Sequence, residues 1–136
     1  MDWGERRIGI AVSDEGQVIA HPVTTLTRRA GKRFPMQAVL ALIAEHGVTG
    51  VVLGLPLAAD GSEGAAAREV RDIATRLAQR SGLAVDFCDE RFTTARVLRT
   101  VRELGGTTRD RKADVDALAA TLLLQQYLDA RSRHAV

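Results

Sequence analysis

The residues best placed to do chemistry lie in Cys88-Asp89-Glu90-Arg91-Phe92-Thr93-Thr94. Ahead of them, Ala84-Val85-Asp86-Phe87-Cys88 roughly alternates apolar with polar, the period of a strand. Behind them, Val97, Leu98, Val101 and Leu104 recur at helical spacing, and Thr93 or Thr94 can cap the new helix. Adjacent carboxylates where a strand ends and a helix begins suit a metal ion or a phosphate-bearing ligand. Taken alone, the same corner is equally well explained as an acidic helix start, which the helix dipole favours.

Further carboxylates stand in other parts of the chain. Asp2 precedes Trp3-Gly4, and Asp114 and Asp116 open the last helical pattern. Acids from separate elements form a site only if the fold brings them together; singly, each reads as a terminal residue or an ordinary helix-start acid. If they converge, hard divalent cations such as magnesium want this type of oxygen ligand. A pair of such ions can activate water and stabilise a leaving oxygen in phosphodiester cleavage.

The basic residues Arg6, Arg7, Arg28, Arg29, Lys32 and Arg33, and later Arg109, Arg111 and Lys112, cluster in turns and loops. Such clusters suit phosphate contacts, and solubility explains them as readily. Gly54-Leu55-Pro56 and Asp60-Gly61-Ser62 follow a strand and precede a helix, where backbone amides can cradle phosphate. No lysine follows in P-loop spacing, so a tight strand-to-helix loop is the better account. His21, His46 and His134 lack ligand spacing, and no serine sits in a nucleophile-elbow pattern.

The elements that must position these groups are legible. Ile8, Ile10 and Val12 alternate in a strand ending at Ser13-Asp14. Glu15-Gly16 turns the chain, and a return strand starts at Val18-Ile19-Ala20 and runs towards Leu26. Pro22 in that strand points to a sheet edge. Residues 27–33 read as a mobile basic loop. Helices are expected over 35–46, 65–79, 94–104 and 113–128, with Gly47 and Gly82 as stops. Val51-Val52-Leu53 is an apolar strand of the type covered on both faces, and 84–88 is the next strand. A hairpin followed by alternating strands and helices predicts an α/β sheet with helices on both faces.

Bulk properties agree. A chain of 136 residues, 46% hydrophobic and 26% charged, reads as one globular domain over 1–136. A net charge of +2 permits a local nucleic-acid patch without requiring one. The single cysteine, Cys88, excludes an internal disulfide and a cysteine metal cluster, and fits a reducing cytoplasm. It is expected to be a small buried hydrophobe and not a nucleophile. No apolar run reaches membrane-spanning length. Aromatics, at 4%, are too few for a base-stacking sheet.

In order along the chain, Asp2-Trp3-Gly4, Arg7-Ile8-Gly9-Ile10-Ala11-Val12-Ser13-Asp14, Gly54-Leu55-Pro56-Leu57 with Asp60-Gly61, Asp89-Glu90-Arg91-Phe92-Thr93-Thr94 and Asp116-Ala117-Leu118-Ala119-Ala120 resemble the YqgF family, also called RuvX. Its names refer to Holliday junction resolution and to pre-16S rRNA cleavage. The resemblance spans essentially the whole chain; Phe92 stands where the family usually has leucine. It implies an RNase H-like fold, a mixed five-stranded sheet with helices on both faces. It implies a cytoplasmic nuclease that matures the 5′ end of 16S rRNA, with Mg²⁺ or Mn²⁺ as cofactor. By motif position the catalytic acids are Asp2, Glu90 and Asp116. Asp89 joins them as a metal ligand, and Arg7, Arg91 and Lys112 are the candidates for phosphate contact.

The expected partners are structured RNA or branched DNA, and the ribosome, with the chain a monomer or weak homodimer and no membrane. The rival readings are a Holliday-junction endonuclease and a non-catalytic RNA-binding factor of ribosome assembly. An actin-like phosphotransferase ranks last, since its nucleotide cleft needs a second lobe. The resemblance raises one further expectation. In the family a buried apolar strand runs into the first aspartate, whereas here only Met1 precedes Asp2. The first strand is therefore expected to be truncated, with a hydrophobic strand upstream in the natural protein. Without that strand, neighbouring backbone groups lose partners at about 1–3 kcal/mol each if dry.

Overall fold

The computed structural model describes residues 1–4, 6–28, 33–89, 91 and 112–134. Along these residues the chain forms β1 (Asp2–Trp3), β2 (Arg7–Ser13), β3 (Ala20–Thr27), α1 (Met36–His46), β4 (Gly50–Leu55), α2 (Ala65–Ser81), β5 (Ala84–Asp89) and α3 (Lys112–His134). The α/β expectation holds. The strands lie in an antiparallel sheet of order β1-β2-β3 and a parallel pair β4-β5, not in the single five-stranded sheet expected.

The division falls at Met1. Its amine donates to the Val52 carbonyl at 2.6 Å, and its carbonyl accepts from the Gly54 N–H at 3.0 Å, the slanted rungs of a parallel ladder. One residue of pairing does not make a continuous sheet. Past Met1, residues 10–13 of β2 and 50–52 of β4 flank a cavity of about 940 Å³.

Side-chain alternation assigns the helices to faces, because neighbours along a strand point to opposite sides. Ile8, Ile10, Leu53 and Leu55 enter one core with Trp3 and with Ala67, Val70, Ile73 and Ala74 of α2. Gly9, between the two isoleucines, turns its open side to α3. Cys88 packs with Ala119 and Leu123 of α3, and Val52 packs against them. Thus α2 and α3 cover opposite faces. Cys88 is buried, as its neighbours in sequence suggested.

Both glycine stops are present. Gly47 and Gly82 end α1 and α2 in left-handed conformations with φ of 60° and 74°, geometry that glycine adopts without steric cost. Pro22 lies on β3, the edge strand, one pair beyond a shift in register between Ile10 and Ala11. Two boundaries differ from expectation. The return strand begins at Ala20, because the Asp14 carboxylate takes the Val18 and Ile19 amides at 2.8 and 3.2 Å and holds them in the turn. The last helix continues to His134, since its charged final turns carry no apolar stripe but propagate well as helix.

Candidate functional site

β1 and α3 meet at Gly9. Residues directly opposite in an antiparallel pair project to the same face, with Cβ atoms about 4.5–5.5 Å apart. Asp2 is opposite Gly9, so its side chain stands on the face that α3 covers. On that face, the main chain of Asp116 lies directly against Gly9. Two acidic residues from opposite ends of the chain are thereby brought against the same strand residue. Both are buried, Asp2 at 2% exposure and Asp116 at 3%. Taking carboxylates out of water is costly, so acids placed this way are held by a compensating structure or serve a purpose.

Arg7 opens β2 two residues before Gly9 and therefore shares the face of Asp2 and Asp116. It is partly buried and stands at the end of the sheet where β1 turns into β2. That turn is closed by a hydrogen bond from the Gly4 amide to the Arg7 carbonyl at 2.9 Å.

Asp89 and Arg91 form a unit of their own. Asp89 ends β5 opposite Leu55. Its carboxylate accepts from the Arg91 amide at 2.9 Å and from Nε at 2.9 Å, and pairs with Nη2 at 2.8 Å. Arg91 Nη1 also donates to the Ala59 carbonyl at 3.3 Å. The arginine therefore ties the strand end to the loop after β4. Its charge is matched by Asp89, which leaves it less available for phosphate than a solvated arginine. Glu90 lies outside the described residues, as do Phe92, Thr93, Thr94 and the expected helix over 94–104. The side chains of Lys112 and Asp114 lie outside them too. Among the described residues, no group of three or more His, Cys, Asp or Glu side chains gathers with ligand spacing. Asp2 and Asp116 are the buried acids among the described residues.

The loop after β4 is a small hairpin. Leu57 pairs with Glu63, the Ala58 amide bonds the Ser62 carbonyl, and the Gly61 amide bonds the Ala58 carbonyl. The Ser62 amide goes to the Asp60 carboxylate at 2.9 Å. That amide and the Ser62 side chain hold the Asp60 carboxyl below its ordinary range, the side-chain bond being the larger cause. With these amides engaged internally, the loop is a folded wall and not a phosphate cradle.

The RuvX family model, described as "Holliday junction resolvase", matches residues 1–130. This chain belongs to the RuvX family. Among its relatives, a protein of Myxococcus xanthus is 42% identical over 130 residues, covering 96% of this chain and 85% of the relative. One of Chloroflexus aurantiacus is 40% identical over 131 residues with the same coverages. One of Lactococcus lactis subsp. cremoris is 40% identical over 134 residues, covering 97% and 93%. Each of these relatives carries the name "Putative pre-16S rRNA nuclease".

In this RuvX-family chain Arg28, grouped by sequence with basic loop residues suited to phosphate contact or to solubility, is instead buried. The Arg28 side chain is 3% exposed. Its guanidinium lies 3.9 Å from the Trp3 ring centroid, bonds the Gly4 carbonyl at 3.0 Å and pairs with Glu69 at 3.0 Å. It holds the two residues that follow Asp2. Nothing local in the sequence signals this, because its partners are 24 and 41 residues away. Gly9 was also passed over as a site residue. Its only signal was a glycine between two isoleucines in a strand, a mark of close backbone approach.

Proposed function

We propose that this chain is a divalent-metal-dependent nuclease that trims the 5′ end of pre-16S rRNA. The observation that carries the reading is that the buried acids Asp2 and Asp116 are brought against the same strand residue, Gly9, from opposite ends of the chain. Carboxylates are hard oxygen donors, so the donor set fits Mg²⁺ or Mn²⁺. Asp2 and Asp116, joined by Glu90, would hold the cation, with Asp89 assisting from the end of β5. When bound, a cation of this type supplies Lewis-acid stabilisation of phosphoryl oxygens and makes water a better nucleophile.

The protein's own groups then orient the substrate. Arg7, on the same face, would take a phosphate next to the acids. Lys112 would add a phosphate contact, and Arg91 would contribute mainly by tying the 57–63 hairpin to the end of β5. In this reading the two sheets work as one mixed five-stranded sheet, of RNase H-like type, joined through Met1 in a single domain over 1–136. The protein would act in the cytoplasm, near the assembling ribosome, as a monomer or weak homodimer. Among the described residues no helix is long and apolar enough to cross a membrane.

The test is cleavage of a 5′-extended rRNA precursor with Mg²⁺ or Mn²⁺ present. Wild-type protein should cut it, and the Glu90→Gln, Asp116→Asn double variant should not. Normal cleavage by the double variant would sink the assignment. The family model's description favours a second substrate, branched DNA, so a synthetic four-way junction belongs in the same assay. Tight RNA binding in EDTA with no cleavage under either metal would instead favour an assembly factor.

A further inference from the structure

The contact at Gly9 carries a consequence that the acid motifs do not. A Cβ placed on Gly9 would lie 2.0 Å from the carbonyl oxygen of Asp116, 2.6 Å from its carbonyl carbon and 3.2 Å from the Cβ of Ala120. The first two atoms belong to the helix backbone and cannot swing aside as a side-chain tip can. To reach even 3.4 Å, the near limit of ordinary contact, α3 must withdraw by more than about 1 Å at Asp116.

Asp2 does not follow that movement. It is fixed to β2 by its own pairing with Gly9, and beyond it Trp3 is held by Arg28 and by the α2-side core. A side chain at position 9 would therefore part Asp2 from Asp116 rather than shift both. Functional constellations tolerate displacements of roughly 0.5 Å.

We infer that Gly9 is a positioning residue: its missing side chain sets how closely the helix carrying Asp116 approaches the strand pair carrying Asp2, and hence the affinity for the divalent cation. The inference rests on the proposed function, since it is the cation-holding role of the pair that Gly9 tunes. The demand is for space and not for unusual dihedrals. Among the described residues the glycines with positive φ are Gly47, Gly61 and Gly82, and Gly9 is not one of them. Gly50 supplies the control, because a Cβ there would meet only the Ala84 carbonyl oxygen, at a relaxed 3.8 Å.

The experiment is calorimetric titration of Mn²⁺ into folded wild-type protein and into Gly9→Ala, Gly50→Ala and Asp116→Asn, with circular dichroism to confirm the fold. Cleavage rates are measured across Mn²⁺ concentrations. Gly9→Ala should bind Mn²⁺ about 10–100-fold more weakly, the range seen when support around a metal site is lost. Its kcat at low Mn²⁺ should fall while KM for nucleic acid stays near wild type, and raising Mn²⁺ should restore much of the rate, which a smaller folded fraction would not allow. Gly50→Ala should match wild type on every count.

Where Gly9→Ala does not fold, Ala120→Val wedges the same contact from the helix side and decides by the same criteria. Wild-type Mn²⁺ affinity and kcat in the folded wedge variant, with binding weakened in Asp116→Asn, overturn the inference and leave the nuclease reading standing. If the wild-type protein takes up no Mn²⁺, the metal-dependent reading fails and takes the inference with it.

Discussion

The two ends of the sheet are built differently. At the end where β1 turns into β2, strand and helix backbones touch at Gly9, Arg28 fills the space behind Trp3, and the acids are buried. At the other end, residues 10–13 and 50–52 stand apart across the cavity of about 940 Å³. There, polar tethers join the elements. Gln125 of α3 accepts from the Ala20 amide at 2.9 Å and donates to the Val18 carbonyl at 2.8 Å, holding the hairpin. Tyr127 reaches Asp86 on β5. At one end backbones are in direct contact, and at the other side-chain hydrogen bonds join the elements. The dense end is where the acids are, which is what a preorganised site requires.

The largest stability effect should come from removing the clamp at the dense end. Arg28→Ala loses a cation–π contact and two hydrogen bonds from a buried charged group. A loss of about 2–3 kcal/mol in chemical denaturation is expected. Lysine should not restore it, since an ammonium cannot stack on Trp3 while reaching both Gly4 and Glu69. Because Trp3 and Gly4 directly follow Asp2, Mn²⁺ affinity should fall along with stability. Full stability in Arg28→Lys would show that charge alone holds this end.

What local pattern fixes was legible in the sequence, and what contacts between distant residues fix was not. Ile8 and Ile10, Val70, Ile73 and Leu77 are buried where their periodicities put them, because burial follows local pattern. Gly47 and Gly82 stop helices for reasons contained within a few residues. Asp2 and Asp116 could be nominated by motif, but their meeting depends on Gly9, and that contact links residues far apart in the chain. Arg28 was misjudged for the same reason: a basic residue beside a basic loop looks solvated until Trp3 and Glu69 are folded around it. The start of β3 was misplaced because Val18 and Ile19 have strand character, and one carboxylate, Asp14, overrides it. Glu90 was nominated by the acidic corner and its motif, and Lys112 by a basic loop; the side chains of both lie outside the described residues.

The smallest effect concerns a tether at the open end. The Tyr127 hydroxyl donates to Asp86 Oδ2 at 2.6 Å, and Arg131 lies 5.6 Å from the Tyr127 ring centroid. The hydroxyl first, then the Phe87 amide, hold the Asp86 carboxyl below its ordinary range. Burial first, then the bond to Asp86, push the Tyr127 hydroxyl above the usual phenol range. A depressed carboxyl contributes stability above its unfolded pKa, near 3.9, and loses it as pH falls through the lower folded value. A raised phenol contributes below its unfolded pKa, near 10, and loses it as pH rises through the higher folded value. The bond therefore stabilises the fold across the range between, roughly pH 4 to 10. Because the pair is largely solvated, Tyr127→Phe should cost only about 0.5–1 kcal/mol at pH 7. The difference from wild type should shrink towards pH 2 as Asp86 is protonated, and Mn²⁺ affinity should not change. Denaturant unfolding of both proteins from pH 2 to 8 checks this. A gap that stays constant across that range would mean that the phenol packs without depending on the Asp86 charge, and that the open end is held by shape as the dense end is.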